Sequence, residues 1–362
     1  MRGEKQRQVN VACLINVETM IPGDHPIRVI KRLLNVVLAE MDSHFDEIYA
    51  ANGRPSIPPE RLLLAKVLMA LYSIRSERQF CERLQYDLLF RWFLDLNPDE
   101  PAFDHSVFSQ NQARLLRHKV ADLFFAEVVW LAQRNGWISD QHFSVDATLI
   151  EAWASLKSFK RKDDDRGPGE GNGWSDFRGE TRRNDTHAST TDPEAKLVRK
   201  GSGREAKLAF SGHATMENRH GLCVLFEVQP AVGAPEAEVA VRQVAELQQR
   251  GFAPRSVGAD RGYCSRGFIE GLRGRGVVPH PAALPDRRLL GVRVRSRAHQ
   301  LSQKCRRKIE EIFGWAKTTG CFRKTRYLGV ERTHAAAQYV VAACNLVRMA
   351  RLSLGPPTSV RA

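Results

Sequence analysis

Between residues 25 and 135 the apolar positions recur every three to four residues, the spacing of amphipathic helices. HPIRVIKRLLNVVLAEMDSHFDEIYA carries one such stripe. GRPSIPPERLLLAKVLMALYSIRSERQFCERLQ opens another behind Pro58 and Pro59, residues suited to a helix start. LLFRWFLDLNPDEPAFDHSVFSQNQARLLRHKVADLFFAEVVWLAQRNGW breaks between Asn97 and Pro101 and resumes behind Asp104 or Ser106, either of which can cap a helix. Gln110, Asn111, Gln112 and Arg114 then fall near its start. Amide and guanidinium groups there suit a recognition helix in a major groove. They suit a solvent-facing helix of a bundle equally well.

After Asn135 and Gly136 the period shortens to two. HFSVDATLIEAW reads as a strand, and AKLAFSGHATMEN with LCVLFEVQPA reads as a hairpin turning at Arg219, His220 and Gly221. APEAEVAVRQVAELQQRG predicts a helix ending at Gly251, and FAPRSVGADRGYCS a short strand with Asp260 at its end. A helix, the strand-like GVVPH, a basic stretch, a helix around KIEEIFGWAK and the apolar helix THAAAQYVVAACNLVRMARLSL complete the chain. This order predicts an α/β domain, a mixed sheet with helices on both faces, preceded by an all-α N-terminal domain. The expected boundaries are 1–138 for the helical region, 139–350 for the α/β domain and 351–362 for a tail. Residues 157–205 are rich in Gly, Asp, Arg and Ser and poor in aliphatics, which predicts a loop or mobile insertion.

Charge changes the picture more than composition does. The chain of 362 residues has a formal net charge of +14, and its 43% hydrophobic content is that of an ordinary soluble protein. Between Arg287 and Arg332 there are fourteen Lys and Arg against three acids. That concentration beside a core-facing helix points to a polyanion partner. The few, dispersed aromatics argue against a stacking platform for single strands. No apolar run is long enough for a membrane span, and the N-terminus does not read as a signal peptide. The seven cysteines never fall as CxxC, and the histidines form no HExxH, which argues for a reducing cytosol and against a zinc site.

Aspartate suits strands poorly, yet Asp146 interrupts an otherwise apolar one. Asp260 ends another strand, where it can also cap a turn. In KCRRKIEEIFGWAK, taken as one helix, Ile309, Ile312, Phe313 and Ala316 form an apolar arc. Arg306, Glu310 and Lys317 fall within roughly 40° of one another beside that arc, while Glu311 points about 100° away. An i,i+4 salt bridge between Arg306 and Glu310 is one account of this. The other joins Glu310 to the two aspartates. Oxygen ligands from separate strands and a helix suit Mg²⁺, which keeps open positions for phosphate oxygens, and leave Arg306 and Lys317 to hold DNA phosphates. Trp315 faces the packed side and reads as core, His213 as a core or surface histidine, and Cys264 as a bystander.

VDATLIEAWASLKSF, GADRGY and RKIEEIFGWAKTTG resemble the three acidic blocks of DDE transposases of the IS5-type insertion sequences. The stretch from Gly53 to Leu96 is similar to the helical N-terminal region of the same proteins. The resemblance implies a ribonuclease-H-like catalytic domain behind a DNA-end-binding region. It also implies Mg²⁺ dependence with Mn²⁺ as a substitute, and cutting and joining of double-stranded DNA at terminal inverted repeats and a target. By position, the catalytic and metal-binding triad is Asp146, Asp260 and Glu310. The family's Tyr-x2-Arg-x3-Glu-x6-Lys signature matches at Arg306, Glu310 and Lys317, but Gln303 stands at the tyrosine position. Arg306, Lys317, Arg307 and Lys304 are expected on DNA, with Gln110, Asn111 and Arg114 reading the ends. A homodimer would pair two ends, in the cytoplasm of a bacterium and on its nucleoid. The alternative is a transposase-derived DNA-binding protein without catalysis.

Overall fold

The computed structural model describes residues 16–49, 56–162, 182–199, 201, 203, 205–232, 235–282, 291 and 296–354. The N-terminal stripes fold as α1 (Val17–Met20), α2 (Pro26–Glu40), α3 (Asp42–Ile48), α4 (Pro59–Leu71), α5 (Glu77–Leu84), α6 (Leu88–Phe93), α7 (Ser106–Arg117) and α8 (Val120–Arg134). Both long helical stretches are therefore divided, and local chemistry divides them. Ser73 and Lys119 take left-handed backbone angles, φ 57° and 48°, which no helix continues through. Ser76 Oγ accepts from Gln79 N–H, and Asp87 Oδ1 accepts from Leu89 and Phe90 N–H, capping the helices that follow.

The sheet begins with β1 (His142–Glu151). Then come β2 (Phe159–Arg161), β3 (His187–Ser189), β4 (Lys196–Val198), β5 (Lys207–Glu217) and β6 (Cys223–Pro230). After them run α9 (Glu236–Gln249), β7 (Ser256–Ala259), α10 (Arg266–Arg273) and β8 (Val278–Pro281). The chain continues as α11 (Arg297–Arg306), α12 (Lys308–Lys317) and α13 (Val330–Ser353). β5 lies antiparallel between β1 and β6, while β7 and β8 run parallel to β1 on its other side. The order β6–β5–β1–β7–β8 makes β1 central, so a polar side chain on it is enclosed by neighbours. β4 pairs with the first residues of β5, along the edge that β6 takes further on. The expected hairpin turn is present: buried Glu217 accepts from Arg219 and His220 N–H, and Gly221 closes it with φ 71°.

Helix α13 joins the helical region to the sheet in one hydrophobic core, packing on β6 and on α2, α4 and α8. Its polar residues line the outer edge of β6. Asn345 exchanges two hydrogen bonds with the Cys223 main chain, at 3.0 and 2.7 Å. Gln338 donates to Phe226 O at 3.0 Å, and His334 Nδ1 accepts from Val228 N–H at 3.2 Å. An open strand edge is thereby satisfied by one helix. His334 Nε2, 2.7 Å from Asp122 Oδ1, extends the network to α8.

The reading of 157–205 as loop needs correction where the chain is described. Phe159–Arg161 and His187–Ser189 pair as a two-stranded sheet, and Lys196–Val198 joins the main sheet. Such short strands lack the run of alternating residues that makes a strand legible. Residues 163–181 of that expected insertion, and 355–362 of the expected tail, lie outside the described residues.

Candidate active site

β1 and β7 are parallel, with Ser144 opposite Gly258. Two residues beyond that last pair on each chain come Asp146 and Asp260, near enough for the charge of Asp260 to act on Asp146. The approach of α11 depends on Gly258, because a Cβ there would meet Ser302 Oγ at 2.7 Å. Held this close, α11 presents Gln303, whose Nε2 donates to Ala259 O at 3.1 Å and His280 O at 2.5 Å. The residue at the signature's tyrosine position thus ties α11 across the ends of β7 and β8, one residue before Asp260.

The aspartates differ in environment. Asp260 Oδ1 accepts from Gly262 N–H at 2.7 Å, so the carboxylate caps the turn. Burial pushes the Asp146 carboxyl up to about 6. The Ala147 N–H, bonded to Oδ1 at 2.8 Å, opposes that rise, as does Arg306, while the charges of Asp260 and Glu310 add to it. Glu310, exposed on the first turn of α12, is therefore within electrostatic reach of Asp146. Among the described residues no group of three or more His, Cys, Asp and Glu is spaced to hold a metal ion. Even so, the donor set fits a hard dication: all oxygens, with mutually repelling carboxylates and one of them desolvated.

The stretch taken as one helix is two. Arg307 separates α11 from α12, so Arg306 and Glu310 do not share an i,i+4 ladder. Arg306 Nη1 turns instead to Asp146 Oδ2, 3.4 Å away. Lys317 Nζ donates to Thr148 Oγ1, two residues from Asp146 on the same face of β1. Both cations thus lie along the strand that carries the first aspartate. Glu311 pairs with Arg348 of α13 at 3.1 Å and holds α12 in place. Lys304 and Arg307 are exposed. Trp315 is half-buried against the core, His213 is buried, and so is Cys264.

On α7 the three side chains expected to read DNA separate. Gln110 and Arg114 are exposed, Arg114 lying 4.4 Å above the Tyr49 ring. Asn111 is 5% exposed, and its amide is committed to Val107 O, Tyr49 Oη and Ser56 Oγ. The expected base contact by Asn111 is therefore withdrawn. One residue beyond Gln110 is about 100° around a helix, which turns it into the core.

Two further residues belong to this neighbourhood. Glu236, at the first position of α9, has its carboxyl raised by burial and by the charges of Asp260 and Asp146. Tyr263 is buried beside Glu236, Asp146 and Asp260, and burial pushes its hydroxyl well up. An acid in the first turn of a helix is commonplace, so nothing local marked Glu236.

Residues 15–114 match the family model described as Transposase domain (DUF772), and residues 137–346 match that described as Transposase DDE domain. No curated protein matches the chain significantly. Among solved structures, the chain is similar to piggyBac transposase in a synaptic complex with hairpin DNA, at 11% identity and TM-score 0.44. That overlap covers 91% of this chain and 76% of the other. It is similar also to the Mos1 strand transfer complex, at 11% identity and TM-score 0.22, covering 77% of this chain and 82% of the other. The family matches bear on function; overlaps this distant do not.

Proposed function

The chain belongs to the transposase DDE domain family, and on that premise we propose that it cuts and joins double-stranded DNA at the terminal inverted repeats of an IS5-type insertion sequence. The observation that carries this reading is the convergence of three carboxylates: Asp146 on β1 and Asp260 just past the parallel β7, with Asp260 and Glu310 both in electrostatic reach of Asp146. The sheet order, with β5 antiparallel to its neighbours on one side of β1 and β7 and β8 parallel to it on the other, supports a ribonuclease-H-like catalytic domain. Both family matches are to transposase domains, which agrees with a DNA partner. A homodimer would bring two ends together. No described helix is long and apolar enough to cross a membrane.

Asp146, Asp260 and Glu310 would hold Mg²⁺, or Mn²⁺ in its place. When bound, the ion supplies Lewis-acid activation of a water or 3′-hydroxyl and stabilises the leaving oxygen. The chain's own residues do the positioning. The Ala147 and Gly262 N–H groups fix one oxygen of each aspartate, so the carboxylates keep their aim. Arg306 and Lys317 supply positive charge along β1, where the scissile strand's phosphates would lie. Gln303 keeps α11, and with it Arg306, against the ends of β7 and β8.

The test is strand cleavage of DNA carrying the gene's own flanking ends, with Mg²⁺ or Mn²⁺, for the wild type beside Asp260→Ala. Cleavage by the wild type alone, at the element boundary, is the expected result. Binding of the ends without cleavage by either protein would favour a DNA-binding protein that lacks catalysis. Neither binding nor cleavage would defeat the end-recognition reading.

A further inference from the structure

Trp153 follows the end of β1 and is 48% exposed, although most large apolar side chains of the sheet are buried. Two cations lie over its ring: Lys324 Nζ is 5.4 Å from the centroid and Arg326 Cζ is 5.8 Å. The segment that carries them is fixed to the end of β1. Glu151 N–H donates to Arg323 O at 3.0 Å, and Thr325 N–H donates to Glu151 O at 2.9 Å. It is also braced from the helical region, since Arg75 donates to Lys324 O and Arg326 donates to Arg75 O. The nearby acid Glu151 is already paired with Lys207 at 2.7 Å. Nothing in these contacts requires an indole in solvent.

Arg306 meets β1 at Asp146 and Lys317 meets it at Thr148, while the main chain of Arg323 to Thr325 pairs with it at Glu151. Basic residues are thus placed near the second half of the strand, and Trp153 follows its end. Asp146 to Glu151 spans roughly 17 Å of strand at about 3.3 Å per residue. That is about five nucleotides of B-form DNA at 3.4 Å per step.

We propose that Trp153, with Lys324 and Arg326, is a stacking contact for an unpaired base of DNA bound at the Asp146 site. The inference rests on the proposed action on DNA and deepens it. An indole ring stacks on any base, because every base offers a π face, and cations beside the ring take the adjoining phosphates. The expectation that this chain lacks an aromatic platform thereby changes. One tryptophan suffices when the fold leaves it exposed beside two cations.

The test uses the full-length protein and two fluorescein-labelled DNAs read by anisotropy, a blunt duplex and the same duplex with a five-nucleotide single-stranded overhang. Wild type and Trp153→Phe should bind the overhang DNA about tenfold more tightly than the blunt one. Trp153→Ala should lose that preference and keep both its blunt-duplex affinity and its salt dependence. Lys324→Gln with Arg326→Gln should weaken both DNAs and lower the salt slope by about two. If Trp153→Ala melts early, Trp153→Leu should show the same loss of preference in a folded protein. An overhang preference that survives in Trp153→Ala or Trp153→Leu overturns the proposal, as does equal binding of both DNAs by the wild type. Failure of the wild type to bind either DNA would instead sink the DNA reading on which it rests.

Discussion

Arg306 Nη1 lies 3.4 Å from Asp146 Oδ2, and each side chain is 16% exposed. The pair joins α11 to β1 and replaces the helical salt bridge that sequence spacing offered. It leaves Arg306 incompletely used, because among the described residues its buried Nε has no hydrogen-bond partner. A phosphate oxygen in the site would satisfy that donor. Arg306→Gln is therefore expected to weaken DNA binding and to reduce the slope of log affinity against log salt by about one. An unchanged slope in a salt titration would return Arg306 to the role of partner for Asp146 alone.

Asp146 bears a desolvation cost that the proposed role in cleavage would explain. Its folded carboxyl sits at about 6 against an ordinary 3.8, so the native state binds this proton more tightly than the unfolded state does. Stability from this group is fullest below pH 3.8 and falls as pH rises towards 6. Asp146→Asn removes the penalty and should gain roughly 1–3 kcal/mol at about pH 7.5, at most, while abolishing cleavage. Melting curves beside a cleavage assay would decide. A lower melting temperature together with retained cleavage would contradict both roles.

Gln303 donates to two main-chain carbonyls beside Asp260. Gln303→Ala should cost about 1–2 kcal/mol and slow cleavage by loosening α11. Gln303→Glu should be worse, since a carboxylate would face two carbonyl oxygens with no donor to offer. Equal melting temperatures and cleavage rates in both variants would show that α11 is held by other contacts.

Asn345 satisfies a donor and an acceptor of Cys223 at the edge of β6. Asn345→Leu should cost roughly 2–4 kcal/mol, because both groups lose their partner in a buried place. Chemical denaturation would measure it. A cost under about 0.5 kcal/mol would mean that the strand edge finds other partners.

His213 is buried in β5, and burial lowers its imidazole to about 4 from the ordinary 6.5. The unfolded chain then takes up the proton first as pH falls. Stability from this group is complete above about pH 6.5 and is lost as pH drops towards about 4, by up to about 3 kcal/mol. His280, likewise lowered to about 4, acts in the same direction. Melting temperature followed from about pH 7 to about pH 4.5 should fall, and should fall less steeply in His213→Leu. Parallel curves for the two proteins would exclude His213 as a source.

Much of the architecture was legible along the chain because its patterns are local. The hairpin at Gly221, the helix ending at Gly251 and the strand ending at Asp260 follow from periodicity and turn chemistry within a few residues. Asp146 stood out for a local reason too, as a carboxylate in an apolar strand. What misled was equally local. An unbroken helical period ran through Arg307, where the chain starts a new helix, and through Ser73 and Lys119, where the backbone turns left-handed. The polar residues His334, Gln338 and Asn345 in an apolar helix were a visible signal, but the strand edge they satisfy is more than a hundred residues away.

The order of residues alone determined the inventory: helices before a mixed sheet, a basic C-terminal third, and carboxylates at 146, 260 and 310. Each of these depends on side-chain period, charge count or a residue's fit to its own backbone. Tertiary structure decided the partnerships. It brought Asp146 within electrostatic reach of Asp260, sent Arg306 to Asp146 rather than Glu310, buried Asn111 and left Trp153 in solvent near two cations. Such pairings depend on strand register and on which groups lose water together, and those are properties of the packed chain rather than of any stretch within it.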